Sequence, residues 1–188
     1  AQNALLKTLE NPPEDTVFFL LTETPGALLS TVRSRARLVR VSPLTREACA
    51  EALVRRGVEA KRAARLAGLA HGSVGRALEL GSDAGFEALL ARSLTSLAAL
   101  KDPASVAEAA APFYEERERQ EDLLEIFEII GRDRMALQNG AEPAAFTRAE
   151  LENIRVDGSA LMLAVMETRR MLSANVAWPN ALDALYFS

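Results

Sequence analysis

Apolar residues recur at helical spacing through most of this chain, and two short apolar runs near its start break the rhythm. Ala4, Leu5, Leu6 and Leu9 predict a helix over residues 1–10, stopped by Asn11-Pro12-Pro13. Residues 16–22, Thr-Val-Phe-Phe-Leu-Leu-Thr, are strand formers without alternation, the pattern of a strand buried on both faces. Pro25-Gly26 marks a turn and residues 27–33 a short helix. Residues 36–41 predict a second strand, in which Leu38 and valine interleave with arginine.

From Pro43 onward the pattern is helical. Thr45 caps a helix to about Arg56, ended by Gly57. A second helix, from about Glu59 to Ala70, carries Ala63, Leu66, Ala67 and Ala70 on one face and breaks at His71-Gly72. Ser73 caps a third, with Ala77, Leu78 and Leu80. Gly81-Ser82-Asp83 and Gly85 then read as a hinge. Beyond it, Phe86, Leu89, Leu90, Leu94 and Leu97 form one stripe. Asp102-Pro103 opens another helical segment, and Leu123, Leu124, Phe127, Ile130 and Leu137 line a long helix. Thr147 and Glu150 have the spacing of a capping box. A last long helix uses Leu161, Val165, Met166 and Leu172, with Met162, Met166 and Met171 read as core, before a break around Trp178-Pro179 and a short final helix. Three parts result: residues 1–42, a three-helix unit over 43–82, and a helical bundle over 83–188.

Composition narrows the function classes. Of 188 residues, 49% are hydrophobic and 26% charged, which excludes a disordered tail. The net charge of -4 disfavours a globally basic nucleic-acid binder. One cysteine, Cys49, and one histidine, His71, exclude a disulfide framework, multi-ligand metal sites and His-based triads, so no metal is expected. Cys49 reads as a small packed hydrophobe and the charge run Glu115 to Asp122 as a solvated face. A reducing, cytoplasmic compartment fits, and no run reaches the roughly 20 apolar residues that span a bilayer. The chain starts inside a helix without methionine and reads as a piece of something longer.

The chemistry-bearing stretch is Thr31-Val-Arg-Ser-Arg-Ala36. Arginine is permanently charged and forks onto phosphate oxygens, so it can reach a neighbour's nucleotide or contact a DNA backbone. By composition alone a solvated basic loop has the better odds. A second stretch, Gly72-Ser-Val-Gly-Arg-Ala-Leu78, taken alone is a capped helix start.

Residues 2–41, through ALLKTLENPPEDTVFFLLT and LLSTVRSRAR, resemble the second half of the AAA+ module of bacterial DNA polymerase III clamp loaders. The resemblance implies a mainly α fold: the remnant of an AAA+ α/β core over 1–42, a three-helix lid over 43–82 and an all-helical collar over 83–188. It gives Ser34-Arg35 the role of a trans-acting arginine finger, with Ala36 where the family has cysteine. Thr22 to Thr24 would fall at sensor 1. The sensor 2 position of ATP-hydrolysing subunits falls on Gly75, with Arg76 one residue later and about 100° around the helix. That departure implies a subunit that lends a finger without turning over ATP. The family's P-loop and acidic strand are not in this stretch, so no bound cofactor and no activity are expected of it alone. ATP would sit on the neighbouring subunit. Implied partners are the gamma/tau and delta subunits and, through the complex, the sliding clamp and primer–template DNA, with no membrane. The rival readings are a gamma/tau ATPase subunit, a helical oligomerisation module without a nucleotide role, and a direct DNA-binding domain.

Overall fold

Helices dominate because the apolar stripes and caps agree along the chain, and a computed structural model describes residues 2–187, with side chains from Leu6 onward. Ala1 and the side chains of Ala4 and Leu5 lie outside the described residues. Two units, residues 1–42 and 43–188, are compact in themselves.

The first unit contains α1 (Gln2–Glu10), a short 3-10 turn (Pro25–Ala27) and α2 (Ser30–Arg33). Leu6 and Leu9 of α1 are half-buried and Val32 of α2 is buried. The two expected strands do not form: residues 16–22 and 36–41 carry no sheet pairing among the described residues. Phe19 is 86% exposed, Leu21 95% and Val41 92%. A strand is held by lateral hydrogen bonds and by cover on its faces, and these runs lack the first and have little of the second, with Leu20 half-buried. Their composition still reads as strand, so pattern alone overstated what this stretch builds.

The second unit opens with α3 (Arg46–Val54), α4 (Ala60–Leu69) and α5 (Val74–Ser82). Thr45 Oγ1 accepts from the Ala48 amide at 3.2 Å, and Glu59 accepts from Lys61 and Arg62 at 2.9 Å each. Gly57 ends the first of these helical segments at φ +87°, where a Cβ would be strained. The stretch expected to be a hinge is helix: α5 runs to Ser82, and Asp83 caps α6 (Ala84–Ala99) by accepting from Phe86 at 3.0 Å. One aspartate between two helices leaves no slack. Leu78, expected on the buried face, is exposed.

After α6 come α7 (Val106–Ala110), α8 (Gln120–Gln138), α9 (Arg148–Leu151), α10 (Gly158–Ser173) and α11 (Trp178–Phe187). The long helices α8 and α10 pack closely because two glycines meet. A Cβ at Gly158 would lie 2.4 Å from the Gly131 carbonyl oxygen. α11 starts at Trp178 itself, with Pro179 tolerated in the first turn. Trp178 Nε1 donates to the Phe113 carbonyl at 2.8 Å. Phe113, Phe127 and Tyr186 stack edge to face. Ser96 donates its proton to the Ala109 carbonyl at 2.7 Å, so the Tyr186 hydroxyl, 2.5 Å away, donates to Ser96. Met166, expected in the core, is 65% exposed, as is Leu163. No helix among the described residues is long and apolar enough to cross a membrane.

One buried apolar core runs from Cys49 and Leu53 through the α6 and α8 stripes to Leu185. The three-helix group is locked to the bundle at Gly68, whose Cβ would stand 2.2 Å from the Ala144 carbonyl oxygen. The added helix propensity of alanine, ~1 kcal/mol at most, is smaller than the cost of forcing backbone apart. Gly68→Ala is therefore expected to lower the urea midpoint of unfolding, and Gly68→Leu to cost about 1–3 kcal/mol. A Gly68→Leu chain with an unchanged midpoint would disprove this close approach.

Candidate functional site

α2 is a single turn, and the two residues after it set the geometry of the arginine stretch. The Ser34 amide bonds the Ser30 carbonyl at 2.9 Å and the Arg35 amide the Val32 carbonyl at 3.1 Å. Buried Val32 anchors the turn. Ser34 Oγ donates to the Thr31 carbonyl at 3.1 Å. The Arg35 side chain folds back along the helix end, where carbonyls have no helical partner. Its Nη1 donates to Thr31 O at 3.0 Å and its Nη2 to Glu10 Oε1 at 2.7 Å. The pair is part-exposed, 35% for Arg35 and 46% for Glu10. Arg33, Arg37 and Arg40 are exposed and form no ion pair among the described residues. This segment is therefore locally basic although the chain is acidic overall. A guanidinium offers five N–H donors in a planar fork, and Arg35 has spent two on Thr31 and Glu10. The remaining ones can take phosphate oxygens.

The other residues singled out in the sequence fall in two places. Thr22 Oγ1 accepts from the Thr24 amide at 3.1 Å in an exposed turn. Among the described residues no hydrogen bond joins either threonine to Arg35. Gly75 and Arg76 lie in the second unit, in the first turn of α5. A Cβ at Gly75 would meet nothing closer than Ser73 Oγ at 4.0 Å, so its environment leaves room for a side chain. Arg76 is engaged elsewhere. It donates to Glu125 at 2.6 Å and Asp122 at 3.3 Å, and its guanidinium lies 6.0 Å from the Phe86 ring centre. Burial works against its charge, but Glu125 and Asp122 outweigh burial and hold its pKa above the usual arginine value. Its work is to tie α5 to α8.

Sequence reasoning missed the polar ties inside the second unit. Asp133, 1% exposed, accepts from the amides of Ala145 at 2.7 Å and Phe146 at 3.0 Å. Arg132 donates to the same carboxylate at 2.8 Å and to the Gly68 carbonyl at 3.2 Å. Arg65 pairs with Glu150 at 2.8 Å. Burial alone would raise the Glu150 carboxyl, but the Thr147 amide and Arg65 outweigh it and hold it below the usual range. The charge run read as a solvated face contributes too: Arg119 joins Asp83 at 2.6 Å and Asp122 at 2.9 Å. One signal was available. Ile126, Ile130, Asp133 and Leu137 share one helical face, and a carboxylate on an apolar face needs donors.

Residues 1–45 match a family described as DNA polymerase III, delta subunit. The chain is similar to DNA polymerase III subunit delta' of Bacillus subtilis (strain 168), 29% identical over 198 aligned positions that cover 98% of this chain and 60% of the relative. It is 60% identical to the Escherichia coli (strain K12) subunit delta' over 43 positions, covering 23% of this chain and 13% of the relative. It is 63% identical to the Yersinia pestis subunit delta' over 35 positions, covering 19% and 10%. The chain thus spans about three fifths of the Bacillus subtilis relative.

Proposed function

Proceeding from its relationship to the delta prime subunits of DNA polymerase III, we propose that this chain works within a clamp loader as a stator that lends Arg35 to ATP on a neighbouring subunit. The observation that carries the reading is the placement of Arg35: part-exposed at a helix end, anchored by Thr31 and Glu10 and with N–H donors to spare. Mechanistically, the guanidinium would approach the γ-phosphate held by the adjacent subunit and offset the charge that spreads over its oxygens during transfer. Ser34 shapes the turn through Thr31 and does not itself need to touch phosphate. The tight coupling of residues 43–188 through one core and the Asp133 ties favours a rigid body over a moving lid. Gamma/tau and delta subunits would be the direct partners, with sliding clamp and primer–template DNA met through the assembly, in the cytoplasm. Gly75 at the sensor 2 position weighs against the rival gamma/tau reading.

A second reading, a helical oligomerisation module without a nucleotide role, draws on the exposed Leu163 and Met166 of α10. Reconstitution separates the two. The full-length protein is expected to co-elute with the ATPase and delta subunits, and its omission to abolish DNA-stimulated ATP turnover. Co-elution with turnover independent of the protein would favour the module reading. Failure to co-elute contradicts both.

A further inference from the structure

We infer that Glu10 is a positioning residue for Arg35, an inference that rests on the reading of Arg35 as a finger acting in trans. The two anchors of the guanidinium come from different elements. Glu10 is the last residue of α1 and takes one N–H of Nη2 at 2.7 Å, while Thr31 of α2 takes one N–H of Nη1 at 3.0 Å. The Asn11 amide closes α1 on the Lys7 carbonyl at 3.1 Å, and Pro12-Pro13 prevents further helix, so the position of Glu10 is set by the chain itself. Val32, the buried residue of α2, fixes the other anchor.

An arginine on an exposed helix end samples many rotamers, and ordering it on arrival of a ligand costs that freedom. Held from two sides, Arg35 is ordered before a phosphate comes near. The two anchors use one N–H on each terminal nitrogen, and Nη1 also lies 3.5 Å from Ser34 Oγ. Nε–H and the second N–H of Nη2 stay unpaired among the described residues. Because the carboxylate pair is part-exposed, its grip is soft, so its loss weakens the finger without abolishing it.

The test uses the full-length protein assembled with its ATPase and delta partners on primed DNA, with ATP as the probe. Turnover is compared for wild type, Glu10→Gln, Glu10→Asp, Arg35→Ala and the Glu10→Gln/Arg35→Ala double variant. Glu10→Gln is expected to lower kcat about threefold to fivefold with KM for ATP unchanged, in line with the strength of exposed ion pairs. Glu10→Asp recovers part of the loss. Glu10→Gln costs nothing further once Arg35 is gone, because the two act as one unit. Unchanged or faster turnover in Glu10→Gln, with Arg35→Ala slow, overturns the inference and leaves the finger reading standing. An additive loss in the double variant also overturns it, by assigning Glu10 a separate structural role. Wild-type turnover in Arg35→Ala would remove the finger reading itself.

Discussion

Replacing Asp133 with alanine is expected to destabilise this chain by about 3–5 kcal/mol, the range for removing one partner of a buried charged contact. Both carboxylate oxygens are committed. One accepts the Ala145 and Phe146 amides and the other the Arg132 guanidinium. Alanine leaves two buried amides without acceptors, each costing roughly 1–3 kcal/mol. It also releases Arg132 from the contact that aims it at the Gly68 carbonyl. The lost ties lie where the Ala144 backbone packs on α4, so the three-helix group loosens from the bundle. The melting temperature should fall by roughly 6–20 °C for a chain of this size. Asp133→Asn keeps one acceptor oxygen and the side-chain shape, so it should fall between alanine and wild type. Thermal unfolding of the three chains checks the order. Equal melting temperatures for alanine and wild type would mean the carboxylate is not the clamp described here.

The helices from Thr45 to Leu97 were legible because stripe, cap and stop coincide. Thr45, Ser73 and Asp83 accept the amides their positions require, and Gly57 ends its helical segment in the left-handed region. The strands were not, because strand pattern states a preference that pairing must satisfy, and residues 16–22 and 36–41 have no pairing partner among those described. Gly81-Ser82 misled for a similar reason. Composition suggested slack, whereas Asp83 caps the next helix directly and leaves none. Met166 shows the limit of reading periodicity alone. It follows Val165 in sequence but stands about 100° further round the helix, away from the arc that Leu161, Ala164, Val165 and Thr168 bury.

At the candidate site the sequence pointed to Arg35 but not to its surroundings. Its residue type and its motif were visible. Glu10, distant in sequence, was not, because ion-pair partners are set by how α1 and α2 meet. Arg76 was expected to point away from a nucleotide, and the residues it reaches, Asp122 and Glu125, lie on α8, more than forty positions on. Local spacing carries no information about such contacts.

Removing the Arg35 guanidinium is the second large effect expected, and it addresses the central claim most directly. The measurement is DNA-stimulated ATP turnover by the complete complex containing either wild type or Arg35→Ala, after both are shown to assemble. Arg35 is part-exposed and alanine removes no buried group, so stability and assembly should be unaffected. If the guanidinium offsets transition-state charge on a neighbour's phosphate, turnover at the site it serves should fall about a thousandfold or more. Arg35→Lys should restore little, because an ammonium lacks the planar fork. A large drop with intact assembly is the result expected of a finger acting in trans. Wild-type turnover from an intact Arg35→Ala complex would contradict that role and leave the helical scaffold as the function of the chain.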